Sequence, residues 1–419
     1  MKKRKSILKK ALIMLLCFCF CANMAGCGKQ SGKKQDKKET ASYEKMLQSL
    51  SYKKGDKVTL WYTKESDLPF LQESKKQIKE KYGVEVKLVL KDSVNYYEEI
   101  VEKSNTEEAP DLYLITNDKL KKYESAGLIE DNRFFSKEFL DKEYASVAVD
   151  AMTYESVQYG YPVYGETNLF LYDGTVVKEP VKTFDEILDF AENFEDDSNQ
   201  KTILQWDVSN EMINYMFFTD QVVIKGEKGD NPDQMDMGNA SVKKGLEYFQ
   251  SLSNFLSIPV EKSSEEGVRK ALSQEKVVFA ICQGDYLKEL ESSKSNYKIG
   301  RMPDLTDSLK TKGISVTTLA AVNPLSKNSD SANLVASYMS YQMAKEQYQL
   351  TNQLGLVENI ERKSEYEQQA YEQYKETTPI AKTLDMGNFW IQADIMFQNI
   401  YKGNSVEKEL KELELSLSK

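Results

Sequence analysis

The sequence contains no histidine among its 419 residues. This absence excludes Ser-His-Asp and Cys-His catalysis and removes the commonest protein ligand for transition metals. Arginine is also scarce, because beyond residue 10 only Arg133, Arg269, Arg301 and Arg362 occur. Tight binding of carboxylate or phosphate groups relies on arginine or on a helix N-terminus, so this scarcity argues against an anionic solute. The sequence predicts neither a metal site nor a cofactor.

The first residues predict export from the cell. Six basic side chains precede residue 11, and residues 11–21 form an apolar run that is too short to span a bilayer as a helix. Residues 1–26 therefore have the pattern of a secretory signal peptide. The next segment, Met24-Ala25-Gly26-Cys27, resembles the lipobox of bacterial lipoproteins, which implies palmitate-type acylation of Cys27 and an anchor on the outer face of the cell membrane. The alternative is an ordinary signal peptide with an incidental cysteine.

Cysteine and net charge limit the mature chain further. Four of the five cysteines lie in residues 1–27, so Cys282 is the only thiol of the predicted mature domain and no internal disulfide can form. Its position at the end of an apolar run favours a small buried side chain over a nucleophile. The leader carries six basic and no acidic residues, so its removal takes the formal net charge from −10 to −16. Nucleic acid is therefore not expected as a partner.

Strand and helix patterns alternate along the rest of the chain. After a lysine-rich, disordered tether predicted for residues 27–50, a strand at Val58–Tyr62 is followed by a helix at Leu68–Tyr82 that ends at Gly83. A strand at 84–90, a helix at 95–103 and a strand at 111–116 complete a β-α-β-α-β order, which predicts a parallel sheet covered by helices. Further strands are predicted at 168–172, 202–205 and 277–281, and further helices after Thr183, at 241–254, 264–273 and 329–347, and throughout the region after 365.

Several short segments resemble, in the same order, the extracellular solute-binding proteins of ABC importers, in particular their maltose-binding branch. These segments are Ala109-Pro110-Asp111-Leu112, Ala126-Gly127-Leu128-Ile129, Tyr161-Pro162-Val163-Tyr164-Gly165-Glu166, Leu171-Tyr172-Asp173, Lys182-Thr183-Phe184-Asp185-Glu186, Lys276 to Tyr286, and Phe389-Trp390. Asp285-Tyr286 replaces the Pro-Trp of the family, and Ile115 stands where the maltose branch often has tryptophan. The aromatic platform is therefore expected to differ from the maltose branch.

The resemblance implies an α/β fold of the periplasmic-binding-protein type II, with two lobes of mainly parallel sheet flanked by helices and joined by hinge crossings. Residues 51–163 with 302–350 would form the N-terminal lobe, and residues 164–301 with 351–419 the C-terminal lobe. It also implies a monomer without catalytic activity. Such a protein would capture a sugar, for example a maltodextrin, and deliver it to the permease subunits of an ABC transporter.

A sugar site needs aromatic rings for the C–H faces of the sugar and paired polar groups for its hydroxyls. In open α/β sheets such groups follow the carboxyl ends of strands. Position and resemblance together select Lys64, Glu65, Asp118, Glu166, Trp206, Glu211, Tyr286 and Trp390 as candidate ligand-binding residues. The alternatives are a helix N-cap for Asp118, an exposed loop charge for Glu166 and core packing for the aromatic residues. A surface glycosidase, or the same fold with a peptide, polyamine or organic anion as its solute, remains an alternative function.

Overall fold

The computed structural model describes residues 43–195, 201–221, 224–225, 231–256, 263–382 and 386–417. The chain divides into two compact units, residues 1–51 and Tyr52–Lys419. The described part of the first unit is a short helix at 43–47 followed by a turn. The predicted signal peptide, the lipidation site and most of the predicted tether lie outside the described residues.

The first sheet of the larger unit contains three parallel strands and four further strands. The order is β14-β6-β13-β3-β1-β2, and β15 pairs with β13. β13 runs antiparallel to both of its long neighbours, β3 and β6. These strands are β1 (Lys57–Tyr62), β2 (Glu85–Leu90), β3 (Leu112–Thr116), β6 (Tyr161–Thr167), β13 (Ile314–Val322), β14 (Leu354–Gly355) and β15 (Thr378–Pro379).

The second sheet has four strands in the order β12-β7-β11-β8. They are β7 (Leu169–Asp173), β8 (Thr202–Gln205), β11 (Val277–Cys282) and β12 (Tyr297–Gly300). Every residue of β11 is buried, which fits a central strand covered by helices on both faces. Two small hairpin sheets complete the described strands: β4 (Thr153–Tyr154) with β5 (Val157–Gln158), and β9 (Ile224–Lys225) with β10 (Asn231–Met235).

Fifteen α-helices are described in the larger unit. They are α1 (Leu68–Tyr82), α2 (Tyr96–Lys103), α3 (Leu120–Ser125), α4 (Lys137–Glu143), α5 (Ser146–Met152), α6 (Phe184–Asn193), α7 (Glu211–Asn214), α8 (Ala240–Leu256), α9 (Glu265–Ser273), α10 (Leu287–Ser293), α11 (Ser329–Ser337), α12 (Ala344–Thr351), α13 (Glu365–Lys375), α14 (Met386–Tyr401) and α15 (Val406–Leu417). Within the described ranges, none of the helices combines the length and apolar character that crossing a bilayer requires.

Local sequence signals explain where several of these helices begin and end. Gly83 adopts φ 73° after α1, and its amide donates to the carbonyl of Lys79 at 3.0 Å, which closes the last turn. At the start of α6, the Thr183 hydroxyl accepts the Glu186 amide at 3.1 Å, and the Glu186 carboxylate accepts the Lys182 amide. The predicted helix at 329–347 is interrupted by a π-helical segment, Tyr338–Gln342, between α11 and α12.

The chain passes between the two sheets three times. It leaves the first sheet between Thr167 and Leu169, returns between Gly300 and Ile314, and leaves again after Pro379. The sequence placed residues 351–419 in the C-terminal lobe, but β14 and β15 pair within the first sheet. It placed 302–313 in the N-terminal lobe, but Met302 and Leu305 pack in the core beside the second sheet.

An aromatic core lies beside the second sheet. Phe217, Phe249 and Phe397 pack there with ring centroids 4.6 to 5.6 Å apart along the cluster. Cys282 ends β11 and is fully buried, and burial raises the pKa of its thiol well above the ordinary value. A thiol in this position behaves as a small apolar side chain.

Candidate ligand-binding cleft

A cleft of about 530 Å³ lies at the carboxyl ends of β1, β2 and β3. The residues after these strands form one wall, and Tyr164 of β6 and Thr318 of β13 also line the cleft. The facing wall is the start of α14, which contributes Gly387 and Trp390. Because α14 packs in the core of the second sheet, the cleft is bordered by elements of both lobes.

Asp118 occupies the turn that follows β3. Its carboxylate accepts the hydroxyl of Thr116 and forms an ion pair with Lys119 Nζ at 2.8 Å. The Asp118 side chain is 18% exposed, so its oxygens are accessible from the cleft that they line. The carboxylate makes no N-cap hydrogen bond to the helical turn at this point. A carboxylate held by two neighbours and open to a cavity is suited to accept hydroxyl donors from a ligand.

Lys64 and Glu166 form the second polar pair. Lys64 follows β1, Glu166 lies near the end of β6, and their Nζ and Oε2 atoms are 3.1 Å apart. Lys64 lines the main cleft, while both residues line a neighbouring crevice of about 410 Å³ that also contains Asn168 and Gln283. The ion pair therefore lies where the main cleft adjoins the hinge strand β6.

Asp67 is the most deeply buried carboxylate of the cleft, with 3% of its surface exposed. It accepts hydrogen bonds from the hydroxyl of Tyr164 at 3.1 Å and from the amide of Gln353 at 3.2 Å. Burial raises the pKa of this carboxyl, and the hydrogen bond from Gln353 and the charge of Lys64 oppose the shift only in part. Asp67 thereby connects the loop after β1 to β6 and to the residue before β14.

Aromatic rings supply the apolar surface of the cleft. Trp390 is half-buried, with its ring centroid 5.8 Å from Tyr215 and 4.9 Å from Phe389. On the opposite wall, the rings of Tyr97 and Tyr123 meet edge to face at 5.2 Å, and Lys122 Nζ lies 3.7 Å from the Tyr97 centroid. Aromatic faces on two walls of one cavity can hold the C–H faces of a ring-shaped ligand.

Charge is balanced across the cleft. Its lining contains three lysines and three carboxylates: Lys64, Lys119, Lys122, Asp67, Asp118 and Glu98. Each lysine lies within 4.0 Å of a carboxylate, at Glu166, Asp118 and Glu98 respectively. A ligand that enters this cleft therefore meets dipoles and paired charges instead of an excess of one sign.

Two predicted aromatic residues lie away from the cleft. Trp206 is fully buried, donates its indole N–H to Asn214 Oδ1 at 3.0 Å, and packs against Phe217 and Phe249. Tyr286 is 5% exposed, and the guanidinium of Arg269 lies 5.4 Å from its ring centroid. Both side chains are core residues, which corrects the ligand-facing interpretation of their positions after strands β8 and β11.

Two of the predicted carboxylates, Glu65 and Glu211, are not among the described residues that line the cleft. Glu65 is exposed in the turn after β1, next to Lys64. Glu211 begins α7 half-buried, where burial raises the pKa of its carboxyl and the nearby Asp394 raises it further. The adjacent Met212 lines the neighbouring crevice instead. Lys64, Asp118 and Trp390 are thus the predicted residues that the fold brings into one cavity, with Glu166 bound to Lys64.

Among the cleft residues that sequence reasoning missed are the buried carboxylate Asp67 and the tyrosines Tyr96, Tyr97 and Tyr123. The tyrosine pair Tyr96-Tyr97 follows β2, so the rule that ligand groups follow strand ends could have found it. Tyr96 donates its hydroxyl to the carbonyl of Trp61 at 2.9 Å, which fixes the start of α2 against β1. Asp67 follows β1 in the same way, but its burial could not be predicted, because it depends on Tyr164 and Gln353, which are distant in sequence.

Comparison with known proteins assigns the family. The model of the family "Bacterial extracellular solute-binding protein" matches residues 73–376, which is more than half of the chain. The chain belongs to this family. The family resemblance that the sequence segments indicated is therefore confirmed, and extracellular solute binding is the general role of the group.

Individual relatives of this solute-binding protein agree with the family assignment. A galactooligosaccharide-binding protein of Bacillus subtilis (strain 168) is 22% identical over 96% of this chain and 94% of its own length. An extracellular solute-binding protein from Staphylococcus aureus, solved in complex with maltose, superposes with a TM-score of 0.79 at 18% identity, covering 88% of this chain and 98% of the other. The maltose-binding protein MalE from Listeria monocytogenes gives 0.73 at 18% identity, covering 86% and 97%. The two-lobe fold is therefore confirmed.

The described part of this solute-binding protein contains no group of three or more acidic or cysteine side chains placed to hold a metal ion. The cleft chemistry is that of hydrogen bonding, ion pairs and aromatic contact. With these groups, the cleft can bind a polar ligand and remove it from water.

Proposed function

We propose that this solute-binding protein is exported, is anchored to the outer face of the membrane through acylated Cys27, and captures a neutral oligosaccharide such as a maltodextrin. The bound sugar is delivered to the permease subunits of an ABC transporter, with the protein acting as a monomer and without catalysis. Support comes from the family match and from the relative named for galactooligosaccharide binding. The basic and apolar pattern of residues 1–26 and the Met24-Ala25-Gly26-Cys27 segment support the anchor.

The observation that carries the sugar assignment is the combination of rings and paired polar groups in one cleft. Trp390 and Tyr97 offer aromatic surface from two walls, and Asp118 offers carboxylate oxygens from the wall that contains Tyr97. Sugars present apolar faces and a rim of hydroxyls, and each buried hydroxyl needs a partner when water leaves. A purely apolar ligand would leave Asp118 and Lys64 unpaired with the ligand, at a cost in free energy.

The charge balance of the cleft supports a neutral solute over the ionic alternatives. An organic anion needs an unpaired cation, and a polyamine needs an unpaired carboxylate that it can reach, whereas Asp67, the lining carboxylate without a lysine within 4.0 Å among the described residues, is only 3% exposed. In the cleft, each of the three lysines already lies beside a carboxylate. A charged ligand would have to displace one of these pairs, whereas sugar hydroxyls can join them without breaking them.

Binding and delivery follow from the two-lobe architecture. A sugar that contacts Asp118 from one wall and Trp390 from the other stabilises the closed arrangement, and the hinge crossings between the sheets allow the change. Micromolar affinity corresponds to about −8 kcal/mol, which a few stacked rings and several paired hydroxyls can supply after ordering costs. Affinity in this range also permits release to a transporter.

Thermal unfolding with a ligand panel tests the proposal. The panel holds maltotriose, a galactooligosaccharide, a neutral tripeptide, spermidine and citrate. A true ligand at about 100 times its dissociation constant adds about 2.7 kcal/mol to the free energy of unfolding and raises Tm accordingly. We expect stabilisation by a neutral oligosaccharide and none by citrate or spermidine. Stabilisation by the peptide or an ionic solute alone would overturn the sugar assignment.

The anchor has its own test. Replacing Cys27→Ser removes the acylation site while leaving residues 28–419 unchanged. We expect a wash with high salt to release the variant into the soluble fraction and to leave the parent in the membrane fraction. Membrane retention of both would contradict lipid attachment at Cys27 and would leave the sugar measurement unaffected.

A further inference from the structure

A second concave surface lies on the N-terminal lobe. This groove, of about 960 Å³, runs between α1 and β2, the strand at the open edge of the first sheet. None of its described lining residues belongs to the ligand cleft. Tyr62, Leu68, Val86 and Leu88 form its apolar part. Ligand capture in the cleft leaves this surface without a role.

Lysine dominates the charged lining of the groove. Five lysines face two glutamates: Lys57, Lys75, Lys76, Lys79, Lys87, Glu80 and Glu85. The lining therefore carries a net charge of +3, on a chain with a formal net charge of −10. We call this surface the basic groove.

The carboxylate of Glu85 shows how crowded the positive charges are. Lys79 Nζ donates to Glu85 Oε1 at 3.0 Å and lowers the pKa of this carboxyl, and the charges of Lys57 and Lys75 lower it further. Lys57, Lys75 and Lys87 are exposed and have no carboxylate of the described residues within 4.0 Å. Lys57, Lys75 and Lys79 thus share the carboxylate of Glu85, and additional negative charge would be favourable here.

The basic groove lies beside the point where the chain enters the larger unit. The unit begins at Tyr52, Lys53 and Lys54 follow, and the Gly55 amide donates to the carbonyl of Gly83 at 2.9 Å, between α1 and β2. Cys27 precedes Tyr52 by 25 residues. Twenty-five residues of chain extend at most about 90 Å, so lipid attachment at Cys27 would keep this edge of the lobe within that distance of the bilayer.

The chemistry of the groove favours a surface of many phosphates over a single defined anion. Among its described lining residues there is no arginine, so it lacks the bidentate fork that fixes one phosphate or carboxylate in one geometry. Lysines act as point charges on flexible stems and suit a diffuse array of negative groups. The segment at 28–40 does not fit as the occupant, because it carries five lysines of its own.

We infer that the basic groove docks onto the phosphate groups of anionic phospholipids and holds the edge of the N-terminal lobe against the membrane. The inference uses the proposed anchor at Cys27 for the proximity of the bilayer and is independent of the identity of the sugar. Docking by α1 and β2 leaves the cleft at the strand ends free, since the two surfaces have separate linings.

Vesicle binding by the mature chain without its lipid, residues 28–419, tests the inference. The vesicles are pure phosphatidylcholine, or phosphatidylcholine with about a third replaced by phosphatidylglycerol. The test variant carries Lys57→Gln, Lys75→Gln and Lys87→Gln. The matched control carries Lys244→Gln, Lys270→Gln and Lys411→Gln, which are exposed lysines elsewhere on the chain and change the net charge equally.

We expect the parent to bind only the vesicles with phosphatidylglycerol, and high salt to weaken binding. Each groove lysine is expected to contribute about fivefold, so the groove variant should bind at least tenfold more weakly, and the control within about threefold of the parent. Sugar affinity should be the same in all three proteins. Equal losses in the two variants, or no preference for phosphatidylglycerol, would overturn the inference. The inference would also be overturned if the groove variant lost binding to an acidic peptide or to a second copy of the chain while its binding to vesicles stayed unchanged.

Discussion

Trp206 and Trp390 belong to the same aromatic assembly beside the second sheet, yet only one of them reaches the cleft. Trp206 is fully buried, and its N–H is paired with Asn214. Trp390 is half-buried at the start of α14 and lines the cavity. Trp206 was predicted to contact the ligand because it follows a strand, and Trp390 because it matches an aromatic position of the family. The comparison teaches that the neighbours of a tryptophan, and not its position after a strand, decide whether it packs or binds.

The largest expected effect is a loss of stability when Trp206 is replaced. Trp206→Ala should lower the free energy of unfolding by about 3–5 kcal/mol, because it leaves a cavity beside Phe217 and Phe249. It also removes the hydrogen-bond donor of Asn214 Oδ1. Urea denaturation measures the loss. Trp206→Phe is the milder control, since it keeps most of the ring volume. Unchanged stability with weakened sugar binding would return Trp206 to the site.

Trp390→Ala should affect binding more than folding. We expect sugar affinity to fall about tenfold, because one aromatic wall of the cleft is removed, while Tm changes little for a side chain that is only half-buried. Titration calorimetry with the best sugar of the panel measures the change. Ile391→Ala on the same helix is the matched control, since Ile391 is 61% exposed and does not line the described cleft. Equal affinities of the two variants would remove Trp390 from the site.

A substitution on the opposite wall of the cleft, at Asp118, should have a smaller effect on sugar affinity. Asp118→Asn should weaken sugar binding about fivefold, because a charged acceptor of ligand hydroxyls becomes a neutral amide. Lys119→Gln is the control, since it removes the 2.8 Å ion pair and keeps the carboxylate. An exposed ion pair contributes little, so this control should change affinity less than twofold. A larger loss in the control would assign the role to Lys119.

The smallest expected effect is on the pH dependence of stability. Burial raises the pKa of Asp67, so the folded protein holds this proton more firmly than the unfolded chain. The resulting stability is complete below the unfolded carboxyl pKa, about 3.9, and is lost as pH rises through the folded value. The Asp67→Asn variant has no carboxyl group at this position, so its stability should not decrease in this way as the pH rises. Parallel curves of Tm against pH for the parent and the variant would contradict the assignment.

The elements that the sequence predicted well are those with a local signal. α1 matches its predicted bounds, Leu68–Tyr82, because helical spacing and Gly83 define both its face and its end. β13 was missed although it is the longest described strand. Its residues show neither alternation nor a uniform apolar run, since Thr317 and Thr318 are buried among them. Thr317 is paired with Tyr374, a partner 57 residues away that no local pattern reveals.

The same contrast between local signals and distant partners applies to the site residues. Asp118 and Lys64 were found because each lies two residues after a strand and matches a ligand-facing segment of the family, and the topology brings strand ends together. Tyr286 also follows a strand but is buried, and the guanidinium of Arg269 in α9 lies over its ring. The exposure of an aromatic ring is a property of the packed neighbours, and single-sequence patterns carry little information about it.

The burial of Cys282 has a practical consequence. Residues 28–419 contain no other native thiol, and this one is fully buried at the end of β11. A cysteine introduced at Val94, which is 81% exposed on the rim of the cleft, would therefore be the single site for a thiol-reactive fluorophore. The labelled protein would report the arrival of solute as a change in emission, which makes the chain a scaffold for an optical sensor without prior removal of native cysteines.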